Sequence, residues 1–145
     1  MIIQSEYLFD ADRPTVYAGL QDPGILAKAL PGTQTLEIVE GTRYAGEMVV
    51  SVGPVTAARF EVSVELTDLV EPESFTMLVG GKGKAGFVDG RAEVRLEDRG
   101  SQCLMIYKAD LGVGGRVASV GQRLLDSVGK AMSHRGLKAV DRMLQ

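Results

Sequence analysis

The sequence holds one cysteine, one histidine and no tryptophan, and each shortage closes off a kind of chemistry. Cys103 alone cannot build a disulfide framework or a cysteine-based metal cluster. His134 has no second histidine with which to pair on a metal, and it falls on the polar side of its predicted helix, so no Ser-His-Asp set can be assembled around it. No apolar run approaches the roughly 18–20 residues of a membrane span. The start, Met1 to Glu6, lacks the basic flank and long apolar stretch of a secretion signal, which points to the cytoplasm. Proline is confined to five positions, each beside a predicted turn or helix start.

What is present suits a single domain over residues 1–145 with an ordinary share of apolar and charged residues. Charge is unevenly placed. Residues 116–145 carry Arg116, Arg123, Lys130, Arg135, Lys138 and Arg142 against Asp126 and Asp141, a balance of +4, and the rest of the chain is at −7. Such a basic end suits the negative pole of a helix dipole, or an acidic partner or anionic lipid. Without interleaved aromatic residues it does not suit nucleic acid.

The strand signals come first. Ile3, Tyr7 and Phe9 alternate with polar residues in a first strand. Asp12-Arg13-Pro14 and Asp22-Pro23 each announce a short helix through an acidic cap followed by proline in the first turn. From Thr33 to Leu111 the period becomes two, predicting six further strands joined by tight turns and therefore antiparallel. Beyond Gly112-Val113-Gly114-Gly115 the period returns to that of a helix. Val117, Val120, Gly121, Leu124, Leu125, Val128, Ala131 and Met132 share one face of a predicted long helix running from Arg116 to the C-terminus. The expected class is α+β: a curved seven-stranded antiparallel sheet wrapped around the terminal helix, with two short helices between strands 1 and 2.

Two glycine patterns carry no cofactor. Gly81-Lys82-Gly83-Lys84-Ala85-Gly86 has dinucleotide-fingerprint spacing but lies between two strands, so it reads as a hairpin turn. Gly112 to Gly115 stands between strand and helix, yet the chain ends after that helix and no βαβ unit follows.

The inward strand positions hold no acid, base or histidine, so no residue is predicted to be catalytic and none to bind metal. An enzyme would have to recruit Asp68, Asp110 or a loop residue. The same faces are rich in very small residues: Gly46, Ala58, Gly90, Ala92, Ala109 and, on the helix, Gly121. Because closed cores pack densely, this pattern predicts either a helix lying very close to the sheet or an apolar cavity. The residues predicted to line the cavity are Tyr44, Met48, Val50, Phe60, Val62, Val64, Met77, Val94 and Tyr107 of the sheet. Val117, Val120, Gly121 and Leu124 face them from the helix. Tyr44 or Tyr107 would supply the single polar contact.

Leu30-Pro31-Gly32, the Val52-Gly53-Pro54-Val55 turn, Gly81-Lys82-Gly83 with Gly86-Phe87, and Ala109-Asp110 through Val113-Gly114-Gly115 occur in this order. Together they resemble the CoxG-like family of carbon monoxide dehydrogenase subunits, within the SRPBCC, or START and Bet v 1-like, helix-grip superfamily. The resemblance implies a helix-grip fold and a non-catalytic accessory protein encoded with a molybdenum hydroxylase. It also implies an apolar cavity for a lipid-like molecule such as a quinone, no required cofactor, and a link between the enzyme and the inner face of the membrane. Longer relatives continue into an apolar tail; this sequence ends at Gln145, so only weak peripheral membrane contact is expected. Two other readings stay open: a cyclase- or hydrolase-like helix-grip enzyme, and an assembly factor whose outer face binds a dehydrogenase or a second copy of the chain. Past Gly136 the apolar stripe shifts, predicting a bend or overhang near Gly129–Gly136. Leu137, Val140, Met143 and Leu144 would then form a separate patch, for the membrane, for a partner or for the two short helices.

Overall fold

A computed structural model describes residues 1–145. Strand β1 (Ile2–Phe9) is followed by helices α1 (Arg13–Gly19) and α2 (Pro23–Ala29). Both helices start as their sequences dictate: the Asp12 carboxylate accepts from the Thr15 amide, and Asp22 accepts from the amides of Gly24 and Ile25. Six strands come next: β2 (Thr33–Glu40), β3 (Arg43–Val52), β4 (Val55–Val70), β5 (Ser74–Gly83), β6 (Gly86–Arg99) and β7 (Gln102–Gly114). They form one seven-stranded antiparallel sheet in the order β1-β7-β6-β5-β4-β3-β2, so the two short helices carry the chain from one edge to the other. This is the helix-grip architecture expected from the periodicity. The Gly81–Gly86 run is the β5–β6 hairpin, tighter than predicted, with only Lys84 and Ala85 outside the strands.

Register puts the alternating residues on one face. Ser5, Tyr107, Val94 and Phe75 lie in one row across β1, β7, β6 and β5. Ile3, Ala109, Ala92, Met77 and Leu66 form the next row, and Leu111, Gly90, Val79, Val64 and Tyr44 the one after. This face looks toward the C-terminal helix.

That helix departs from the sequence reading in three ways. First, it is not one element. Arg116–Val120 is a short 3-10 helix, Gly121 breaks the backbone at φ 98°, and α3 runs from Gln122 to Leu144. Second, Ala131 is exposed, whereas Val128 and Met132 are half-buried, so the buried stripe is narrower than the wheel suggested. Third, α3 continues without interruption through Gly129 and Gly136. Both glycines are contact points: a Cβ at Gly129 would lie 2.8 Å from the Ile3 side chain, and one at Gly136 would lie 3.1 Å from Leu30. The rear half does not overhang. Val140 is fully buried, Leu137 and Leu144 pack on the same core, and Gly19 of α1 sits against Leu144. Only Met143 of the predicted patch is exposed. The stripe shifts because the neighbour changes from sheet to short helices.

Candidate functional site

Side-chain packing forms two buried clusters, one at each end of the sheet–helix sandwich. At the α1/α2 end, Phe9, Val16, Tyr17, Leu66, Phe75, Val94, Leu96, Cys103 and Val140 belong to one buried cluster. At the opposite end Val52, Val55, Ala58, Phe60, Ala85, Val117 and Leu125 form a second. Between them the inward face is half-buried: Met48, Val79, Ala92, Ala109 and Leu111 from the sheet and Met132 from α3 are apolar, partly accessible, and packed in neither cluster. Inward residues of a filled core are not reached by solvent. The main chain of α3 comes nearest to α2, β1, α1 and β3.

The predicted lining residues divide four ways. Met48, Val50, Val62, Val64, Met77 and Tyr107 are half-buried, and all but Met48 pack against one cluster or the other. Tyr44, Phe60, Val94 and Val117 are fully buried in the end clusters, where they act as floor and plug rather than wall. Val120 and Leu124 pack near the β3–β4 turn, with a Leu124 methyl 2.7 Å from where a Gly53 Cβ would lie. Gly121 lies outside: it is exposed and nothing lies within 4 Å of the Cβ it lacks, because the helix on which it was placed breaks there. Val79, Ala92, Ala109, Leu111 and Met132 were not among the predicted lining residues. The strand alternation that selected Val94 and Tyr107 marks the first four equally, and Met132 was on the predicted apolar helix face.

Two of the small inward residues have another cause than space. A Cβ at Gly46 would lie 1.9 Å from the Thr35 carbonyl oxygen, and one at Gly90 (φ +154°) would lie 2.0 Å from that of Asp110. Here glycine admits a neighbouring strand's main chain rather than a ligand.

The polar groups nearby are mostly spoken for. Tyr44 donates its hydroxyl to the Gln21 carbonyl at 2.5 Å, Tyr17 donates to that of Ser74 at 3.1 Å, and Tyr7 donates to the Asp141 carboxylate at 3.1 Å. Burial raises the phenol pKa of all three above the usual range, helped at Tyr7 by the Asp141 bond and charge and at Tyr44 by the charge of Asp22. Asp141 also accepts from the Asp10 amide at 2.9 Å, which ties α3 to the end of β1. Of the chain's four tyrosines only Tyr107 makes no hydrogen bond through its hydroxyl. Cys103 is fully buried and desolvation pushes its thiol up to about 11, so it is a packing residue rather than a nucleophile. Asp68 and Asp110 are exposed. His134 is exposed beside Tyr7, with ring centroids 6.1 Å apart.

On the outside, Arg123, Lys130, Arg135, Lys138 and Arg142 are all exposed. The four ion pairs of the structure all lie on the sheet, between Arg59 and Glu47, Arg91 and Glu93, and Arg95 or Arg99 and Glu97. The helix cations are therefore unpaired. No helix is long and apolar enough to cross a membrane.

The fold has many solved counterparts. A conserved protein from Geobacillus kaustophilus superposes with a TM-score of 0.93 at 26% identity, covering 99% of this chain and 95% of its own. A START superfamily protein from Mycobacterium smegmatis gives 0.73 at 10% identity over 99% and 96% of the two chains. Ara h 8.0201 gives 0.69 at 15% identity over 99% and 97%. No curated protein matches in sequence. Residues 8–144 match the CoxG family of carbon monoxide dehydrogenase subunits, and with nearly the whole length matched the chain belongs to that family.

Proposed function

We propose that the protein is a non-catalytic accessory component that holds an apolar, lipid-like molecule between its sheet and α3, with a quinone as the specific ligand class. The observation that carries this reading is the half-buried apolar belt between two closed ends, bordered by Met48, Val62, Val64, Met77, Ala92 and Ala109. An apolar surface of this kind is unfavourable in water and gains from an apolar occupant. The belt holds no carboxylate, imidazole or amine, which weighs against the cyclase- or hydrolase-like alternative. No cofactor is required. Native mass spectrometry after incubation with a long-chain quinone or a phospholipid tests it. Retention of one molecule per chain is expected; an empty protein, with a densely filled interior in a crystal structure, would refute it.

The partner reading rests on α3. Arg123, Lys130, His134, Arg135, Lys138 and Arg142 are exposed within one arc of about 140°, interrupted by the buried Asp141, and from Arg123 to Arg142 it runs for about 29 Å. Family membership makes a molybdenum hydroxylase of the carbon monoxide dehydrogenase type the natural partner, and an unpaired basic strip suits an acidic surface on it. In the cell the complex would sit in the cytoplasm, at the inner face of the membrane. Reversing charge at Lys130, Arg135 and Lys138 should abolish co-purification with that enzyme; unchanged recovery would count against this surface and leave a homodimer face or anionic lipid to explain the cations.

A further inference from the structure

Tyr107 stands where the closed α1/α2 end gives way to the open belt. Its ring packs on the buried cluster beside Val94, and the next row of the sheet, Ala109 and Ala92, is small and packed in neither cluster. The other three tyrosine hydroxyls all donate to protein oxygens; this one has no protein partner. The hydroxyl is reached by solvent, so water meets it in the unliganded protein, and an acceptor oxygen of a ligand would take that water's place. Its cross-strand neighbour on β1 is Ser5, an inward position that is nevertheless exposed. Ser5 falls between the two places where α3 touches β1, Gly129 against Ile3 and Asp141 against Tyr7. The side of the belt nearest Tyr107 is therefore the side that opens.

We propose that the Tyr107 hydroxyl is the polar anchor of the interior, donating a hydrogen bond to an acceptor oxygen at one end of an amphiphilic ligand. The ligand class is a long apolar molecule with a carbonyl or similar neutral oxygen at its head. The head lies by Tyr107 and the open β1 side, and the tail crosses Ala92 and Met77 toward Val62 and Val64. A carboxylate head is disfavoured, since the belt offers no cation to meet it. The inference rests on the reading that the interior takes an apolar ligand, and its test separates the two.

The test measures displacement of N-phenyl-1-naphthylamine by 2-undecanone and by undecane, for the unmodified protein, Tyr107→Phe and Tyr44→Phe. Tyr107→Phe should weaken 2-undecanone about threefold to tenfold, the value of one neutral hydrogen bond, and leave undecane unchanged. Tyr44→Phe, whose hydroxyl is already engaged by Gln21, should leave the ratio of the two affinities unaltered. On the unmodified protein, the infrared carbonyl band of bound 2-undecanone should move to lower frequency, a readout that does not depend on the variant folding. An unaltered ketone-to-alkane ratio in Tyr107→Phe, with undecane still bound, overturns the anchor and leaves the apolar interior standing. Failure of both compounds to displace the dye overturns the interior, and the anchor with it.

Discussion

Ala58 and Ala92 both point inward from central strands of the same sheet, yet enlarging them should have opposite effects. Ala58 is buried in the closed cluster with Val52, Val55 and Phe60. Ala92 is half-buried and packs in neither cluster. Replacing alanine by leucine adds three carbons, and burying them is worth about 0.8 kcal/mol each. At Ala92 roughly 2.4 kcal/mol is gained and about 0.5–1 kcal/mol of rotamer freedom is lost, a net stabilisation of about 1–2 kcal/mol. For a chain of this size that raises Tm by about 2–8 °C. At Ala58 there is no space, and overpacking costs about 1–3 kcal/mol, so Tm falls by about 2–12 °C. Thermal unfolding followed by circular dichroism measures both. Ala92→Leu should also weaken binding of any apolar probe, because it occupies the same volume. If Ala92→Leu destabilises the protein as much as Ala58→Leu, the belt is filled and the reasoning about the interior is refuted.

Other perturbations test separate parts of the argument. Phe9→Ala, at a fully buried site, should cost about 3–5 kcal/mol in urea unfolding; less than 1 kcal/mol would mean that the α1/α2 end is not closed. Asp141→Ala leaves the Tyr7 hydroxyl and the Asp10 amide without their acceptor and should cost about 1–3 kcal/mol; no change in urea midpoint would remove Asp141 as the tie between α3 and β1. Cys103 has its folded pKa raised from 9.0 to about 11, so the folded state holds the proton more tightly and the associated stability is complete below pH 9. It is lost as pH rises from about 9 to about 11, in the same direction as the loss from the raised tyrosines above pH 10. Tm should therefore fall more steeply over this range in the unmodified protein than in Cys103→Ala, and parallel curves would show that the thiol contributes nothing.

Much of the fold was legible because its signals are local and repeated. Asp12-Arg13-Pro14 and Asp22-Pro23 start helices where a capping carboxylate and a pre-set φ say they should. Strand alternation carries without a shift through β1–β7, β7–β6 and β6–β5, and breaks only at register shifts in β2–β3, β3–β4 and β4–β5. The interior was less legible, because periodicity tells which way a side chain points and not how far away its neighbour is. Val94 and Met77 alternate alike, but one is sealed by the α1/α2 end and the other borders the gap. The helix start misled for a related reason. Val117, Val120 and Leu124 keep helical spacing across the break, since a 3-10 turn and an α-turn differ by less than one residue. The sign of the break was Gly121 itself, whose φ of 98° is one that other residues rarely adopt.

Glycine on the inner face has a cause in strand spacing. At Gly46 the β2 main chain comes within 1.9 Å of where a Cβ would be, and at Gly90 that of β7 comes within 2.0 Å. Any larger residue at either point would push neighbouring strands apart, so these positions permit a close strand approach that side chains would forbid. Here α3 meets β1 and β3 and the short helices, and Val79, Ala92, Ala109 and Leu111 of the inner face are half-buried and packed in neither cluster. Small inward residues thus serve two ends: Gly46 and Gly90 shape the sheet, and Ala92 and Ala109 leave room beneath the helix. Gly46→Ala would separate them. It should cost about 3 kcal/mol by prising β2 from β3, and it should disturb probe binding only as far as it disturbs folding. Ala109→Leu should abolish probe binding in a protein that folds at least as well as before. If Gly46→Ala is harmless and Ala109→Leu unfolds the chain, the assignment of shape to the glycines and space to the alanines is reversed.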